Sequence, residues 1–249
     1  MKRPFAQGSM NRLPVALALA CGVTLIGQDL DARQARQYPL ESATGLRLHN
    51  VVAEPAVLHG KKGVRVTFAE EKLKSMTPEE QAKAEMLAPI EGVEFDSGVI
   101  EAEIAGQPAA GAPAGARGFV GIAFRLQSDM QTYDAFYLRP TNGRAEDQER
   151  RNHAAQYISH PDWPWSRLRK ETPSKYEAYV DLVTGAWTKI KIDVRGDRAR
   201  LFVHDQEQPT LIVNDLKTGA QRKGGVALWI DAGTVAHFRN LSVQASSPQ

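Results

Sequence analysis

The chain has 249 residues, 42% of them hydrophobic and 24% charged, with a formal net charge of +2. That is the composition of a soluble globular protein, and its basic residues are too scattered and too well balanced by acids for a nucleic-acid partner. No stretch supplies the roughly twenty uninterrupted apolar residues of a transmembrane helix, and the single cysteine, Cys21, leaves no internal disulfide.

Residues 1–35 read as an export segment. Lys2, Arg3 and Arg12 carry positive charge, LPVALALACGVTLI (Leu13 to Ile26) is an apolar run of signal length, and Ala18 and Ala20 permit cleavage near Cys21. A cut near Ala32 or Ala35, and a start at Met10, are the alternatives. Pro14 and Gly22 argue against a buried helix. The expected location is the periplasm or the exterior. Lipid attachment at Cys21 is the lesser alternative, because Ala18-Leu19-Ala20 is a poor lipobox.

Residues 38–246 read as one all-β domain. Period-two alternation starts at Leu46, Leu48 and Val51. It continues through Val64-Val66-Phe68, Val99 to Ile104, Phe119 to Leu126 and Tyr133 to Arg139. It resumes at Tyr176 to Leu182, Trp187 to Val194, Ala199 to Val203, Leu211 to Val213, Val226 to Ile230 and Ala236 to Val243. About a dozen short strands separated by Gly, Asn, Asp and Pro turns predict a sandwich or barrel. One helix is predicted in a connection. Thr77-Pro78-Glu79-Glu80 is a capping box with Pro at the first helical position, leading into QAKAEML. GQPAAGAPAGARG, Gly106 to Gly118, is a low-complexity loop.

Strand parity sorts the side chains into faces. Val120, Ile122, Phe124 and Leu126 share a core face with Phe136, Leu138, Val226, Leu228 and Ile230. Gly121, Ala123, Arg125, Tyr133, Ala135, Tyr137, Arg139, Trp229 and Asp231 share the other. Small residues between aromatics and arginines suggest a platform for a sugar ring, with Arg125, Tyr137 and Trp229 in contact with it. The bland alternative is that a returning loop covers Tyr137 and Trp229 as core.

The segment from Tyr137 to Tyr176 holds two His, two Trp and three Tyr among many Arg and Lys, with few aliphatics. It reads as a loop that walls the site rather than a core element. Its candidate ligand contacts are Asn142, Arg144, Gln156, His160, Trp163 and Trp165. Trp163-Pro164-Trp165 forms a rigid ridge in which one ring serves as an anchor and the other as a stacking wall.

The run AFYLRPTNGRAEDQERRNHAAQYISHPDWPW, the WTKIKIDV and ARLFV strands and the closing GGVALWIDAGTVAHFRNLSV together resemble the concanavalin A-like lectin/glucanase superfamily. Within it the chain is similar to the bacterial 3-keto-disaccharide hydrolase-like domains. The similarity spans about Gly92 to Val243. It implies a jelly-roll sandwich of twelve to fourteen strands, a concave ligand face, export, and a saccharide ligand. The Glu-x-Asp-x-x-Glu strand of the superfamily's glucanases is missing; Glu101 and Glu103 share a face without the central Asp. Hydrolysis by that carboxylate pair is therefore not expected.

A 3-keto sugar offers another route, since the ketone acidifies the neighbouring C2–H and the C1 oxygen then leaves by elimination. That reaction needs a base near neutrality and donors for the enolate. His153 is the chosen base and His160 the alternate. Arg139, Arg144 and Arg151 are donors, and Tyr157 or Tyr137 protonates the leaving group. The catalytic set expected on this route is His153, Arg139, Arg151 and Tyr157. No cofactor or resident metal is expected. His153, His160, Asp162 and Glu171 fit no zinc spacing, and calcium stays open only through the resemblance. A monomer is expected. A non-catalytic lectin-like module is the alternative. Full burial of Trp229, Tyr137 and Arg139 with no cleft would overturn both saccharide readings.

Overall fold

The computed structural model describes residue 1 and residues 34–81 and 83–246. The leader expected over residues 1–35, with Cys21, lies outside the described residues except for Met1 and residues 34–35. The strands, in chain order, are β1 (Arg36–Tyr38), β2 (Val51–Leu58), β3 (Lys61–Phe68), β4 (Met86–Pro89), β5 (Gly98–Pro108), β6 (Val120–Leu126) and β7 (Tyr133–Leu138). They continue with β8 (Ala155–His160), β9 (Glu177–Ala178), β10 (Thr188–Arg195), β11 (Arg198–Val203), β12 (Leu211–Val213), β13 (Gly225–Ile230) and β14 (Thr234–Ala245).

They form two antiparallel sheets stacked as a jelly-roll sandwich. The larger runs β12-β11-β10-β5-β14-β3-β2, with β1 also on β14; the smaller runs β4-β13-β6-β7-β8-β9. The larger sheet keeps one wet face. Along β10, Ile190, Ile192 and Val194 are buried while Lys189 and Arg195 are exposed, the alternation expected of a sheet solvated on one side. Glu101 and Glu103 belong to that wet face, opposite Lys191 and Lys189 in register; Glu103 is held by Lys61 at 3.0 Å. The smaller sheet differs: every residue of β6 and β7 is buried. Both of its faces are covered, which explains its near-continuous apolar runs.

Parity assigns these faces correctly until Arg125. That residue has φ of 57°, and the register against β13 slips between Gly225 and Val226, so that Leu126 meets Gly225 and Phe124 meets Val226. This is a β-bulge, which turns the extra side chain across the sheet. Arg125 therefore points inward instead of toward a ligand, with 0% of its side chain exposed. It donates to the carbonyls of Asp96 (2.7 and 2.9 Å), Gly196 (2.6 Å) and Gly219 (2.6 Å) and lies 3.9 Å from Asp134.

Two further expectations change. The capping box forms, with Thr77 N on Glu80 Oε2 at 2.8 Å and Glu80 N on Thr77 Oγ1 at 3.3 Å. Its helix, α2 (Pro78–Gln81), nevertheless stops before Met86, because Met86 to Pro89 pairs with β13. Tertiary pairing overrides helix propensity there. Among the described residues the single predicted helix becomes four short ones, with α1 (Glu70–Lys74), α3 (Gln148–Asn152) and α4 (Trp165–Glu171). The aliphatic-poor segment also contains β8, an interior strand paired with both β7 and β9. The sheet edges are guarded: β9 and β12 have two and three residues, and β2 carries Pro55. No described helix is long and apolar enough to cross a membrane.

Arg125→Ala leaves the buried Asp134 without its counter-charge and three carbonyls without their donor. It is expected to cost about 3–5 kcal/mol of stability, read as a lowered denaturation midpoint in a urea titration.

Candidate functional site

The face of the smaller sheet turned away from the larger one is built on a gap. Gly121 pairs with Tyr137 on one side and Trp229 on the other. A Cβ at Gly121 would lie 2.5 Å from the Tyr137 Cβ, so glycine is required by close approach. Over this gap the two rings stack with centroids 4.6 Å apart. Ala123, Ala135 and Ala227 complete the small-residue floor. The space that parity assigned to a ligand is thus filled by the protein's own aromatics. Trp229 is 4% exposed, Tyr137 2% and Arg139 5%: the burial that counts against a saccharide site on these three residues is met, and a saccharide contact on this face is left only to the groups at their rim.

At one end of this face stands His153. It is the C-cap of α3, whose N-cap Asp147 accepts from Arg150 N at 2.9 Å. The His153 carbonyl accepts from Arg139 Nη1 at 2.9 Å and Asn142 Nδ2 at 3.3 Å. Asn142 sits in a 3-10 turn, Pro140–Asn142. Arg139 also donates to the Tyr137 hydroxyl (2.8 Å) and Gln156 Oε1 (3.1 Å). The His153 Nδ1 lies against the Glu177 carboxylate, which Arg169 of α4 holds bidentately at 2.8 and 2.6 Å. Burial pushes the His153 pKa down, opposed by the Glu177 charge and reinforced by Arg169 and Arg139. The resting imidazole is neutral. Trp165, 44% exposed, joins this group through the two arginines, with the Arg169 guanidinium 4.7 Å and the Arg139 guanidinium 5.9 Å from its ring centroid.

A second polar group occupies the same face. His160 Nδ1 is 2.6 Å from Glu85 Oε1, and the Tyr133 hydroxyl donates to the other Glu85 oxygen. Trp229 Nε1 donates to Tyr133 at 2.9 Å. Ile230 pairs with Met86, so Asp231 and Glu85 are the next residues off adjacent strands. Burial, and then the Glu85 charge, raise the Tyr133 pKa well above its usual value. Among the described residues no three His, Cys, Asp or Glu side chains are grouped to hold a metal ion.

The structure therefore brings together His153, Arg139, Gln156, Tyr137, Trp229, Trp165 and His160 on one face. Tyr157 is removed from it: its partner across the strands is Phe136, on the inner side. Its hydroxyl is buried on Asp134 at 2.6 Å and accepts from Lys217 N. Arg139, Gln156 and Asn142 spend their polar atoms on protein partners and act as props rather than ligand donors. Arg144 is a surface residue clamped on Asp181 at 2.7 and 2.8 Å. Arg151 is half-buried and donates to the Tyr179 hydroxyl at 2.8 Å. Trp163 is the anchor of the ridge, its backbone bridged to Ser159 and its ring beneath Arg167 at 3.8 Å. Sequence reasoning missed Glu177, Arg169 and Glu85. Each is an ordinary charged residue far along the chain from its partner, and only the pairing of strands reveals it.

Neither a protein-family model nor a curated protein matches the chain. Solved structures do. A carbohydrate-binding module, CBM66, from Bacillus subtilis aligns with a TM-score of 0.52 at 12% identity, over 80% of this chain and 94% of that one. A Bacillus subtilis protein of unknown function with a galectin-like fold gives 0.48 at 11%, over 86% and 96%. The Bacillus licheniformis beta-glucanase gives 0.41 at 11%, over 86% and 98%. At 12% identity the likeness to the CBM66 module shows the fold alone.

Since the native His153 prefers its neutral form, its contribution to stability is complete above about pH 6.5. That contribution is lost as pH falls through the lower native value. Glu177→Gln removes the charge that holds the pKa up. In that variant the His153 ring is expected to titrate at a still lower pH than in the parent protein, followed by NMR of its ring protons.

Proposed function

We propose that the chain is an exported, saccharide-active enzyme that cleaves a glycoside on the outer face of its smaller sheet. The observation that carries this reading is the half-buried His153, backed by Glu177 and flanked by the exposed Trp165. The Glu177 charge beside Nδ1 favours the tautomer whose lone pair is on Nε2, the arrangement of a positioned general base; both ring nitrogens are shielded from solvent at rest, so Nε2 acts once substrate displaces its cover. Burial keeps that base unprotonated near neutrality. Trp165 supplies the apolar ring on which a pyranose C–H face stacks, and Arg169 and Arg151 supply cationic donors at the rim. The fold shared with a carbohydrate-binding module supports the saccharide part of the reading.

The chemistry that suits these groups is cleavage of a 3-keto-glycoside. His153 takes the acidic C2 proton and an arginine stabilises the enolate. The C1 oxygen leaves, and water then adds across the new double bond. Arg139 positions the His153 backbone and does not touch substrate. A non-catalytic binding module is the second reading, favoured by the exposed Trp165 alone. It gains nothing from a carboxylate-backed imidazole, and the covered Tyr137–Trp229 pair denies it a platform.

His153→Ala is expected to reduce turnover of a 3-keto-glycoside by roughly 100- to 10,000-fold while leaving calorimetric affinity nearly unchanged. Trp165→Ala is expected to weaken binding by about 1 kcal/mol, roughly fivefold. Binding by the unaltered protein without turnover of keto- or plain glycosides gives the answer to the module.

A further inference from the structure

The reaction just described lacks a proton donor for the departing oxygen. Both tyrosines considered from sequence are unsuited. Tyr157 is sealed between the sheets, and Tyr137 lies under Trp229, its hydroxyl already accepting from Arg139. Resting on the reading above, we propose that Asp231 is the general acid that protonates the glycosidic oxygen as it leaves.

Position comes first. Asp231 directly follows β13 and continues the parity of Trp229, which puts it on the outer face, where it feels the His160 and Arg139 charges. It is only partly covered, whereas Trp229 and Ile230 before it are buried. Its bonding is the second observation. The other carboxyls of this face are committed: Glu177 to Arg169 and His153, Glu85 to His160 and Tyr133. Asp231 has no ion pair among the described residues. One oxygen, Oδ1, accepts from the neighbouring Ala232 N at 2.6 Å, and no described group donates to Oδ2. An oxygen without a donor is the one that holds a proton.

The surroundings favour that proton. Burial raises the Asp231 pKa first, and the Glu85 charge raises it further; His160 and Arg139 pull it down without reversing the shift. The hydroxyls of Tyr133 and Tyr137 feel Asp231 from β7.

The step balances. The C2 proton goes to the base, and the C2–H electron pair becomes the enolate. As the enolate collapses, C1=C2 forms and C1–O breaks. The leaving oxygen takes the Asp231 proton. Water then adds at C1, returning one proton to Asp231 while the base returns its own to C2.

The test uses the full chain with methyl and 4-nitrophenyl 3-keto-β-glucosides. The acidic nitrophenol leaves unaided and the methyl alcohol does not. For Asp231→Asn, with an unchanged melting temperature, a loss on the order of 100-fold or more is expected on the methyl glycoside. A loss under about tenfold is expected on the nitrophenyl one, together with disappearance of the alkaline limb of the pH–rate profile. Equal losses on both substrates, or none, overturn the assignment while the parent reading stands. An unaltered protein inactive on both keto-glycosides overturns the parent reading and the assignment with it.

Discussion

A guanidinium deprived of water must find acceptors for every N–H it carries, and the end of the sandwich is arranged around that demand at Arg125. Three connections bring carbonyls to it: the turn before β5, the β10–β11 hairpin and the stretch after β12. Asp134, also fully buried, supplies the charge and is itself bonded by Tyr157 and Thr218. Removing one member strands the others in a low-dielectric interior. The network thus binds the two sheets through polar atoms where apolar packing runs out. It also consumes the residues that a reading of composition would most readily have given to a ligand.

On the opposite face the same economy holds. Tyr137 and Trp229 close over Gly121, Arg139 braces the His153 backbone, and Gln156 ties β8 to Tyr157 and Tyr176 carbonyls. What stays partly accessible is a rim of Trp165, Arg169, His160, Glu85 and Asp231, with the ring nitrogens of His153 shielded just inside it. Two imidazoles each have a carboxylate at Nδ1, an arrangement that costs desolvation and fixes a tautomer. Stability alone does not require it twice on one face. The interior aromatics act as a rigid floor, which holds such groups more precisely than a mobile loop.

The strands and their faces were legible wherever side chains alternate, as in β6, β7, β10 and β13. The failures have physical causes. Arg125 breaks parity because a left-handed residue at a bulge leaves no trace in hydrophobic pattern. β8 was hidden because Gln156, Ser159 and His160 are polar yet satisfied by strand neighbours, so burial there does not require aliphatics. QAKAEML favours a helix on its own, but β13 needs a partner. His153, Trp165 and the covering of Tyr137 were within reach of the pattern. Glu177, Glu85 and Arg169 were not, since their significance comes only from what antiparallel pairing sets beside them.

The guarded edges carry a consequence of their own. A sandwich whose outermost strands are four residues or fewer, or interrupted by Pro55, presents little continuous backbone for a foreign strand to template on. Exposed Val52 and Val57 lie on β2, the longest of these edges, and Pro55 sits between them where an amide would otherwise invite pairing. The chain is thereby suited to persist at high concentration, and through transient unfolding, without growing into fibrils.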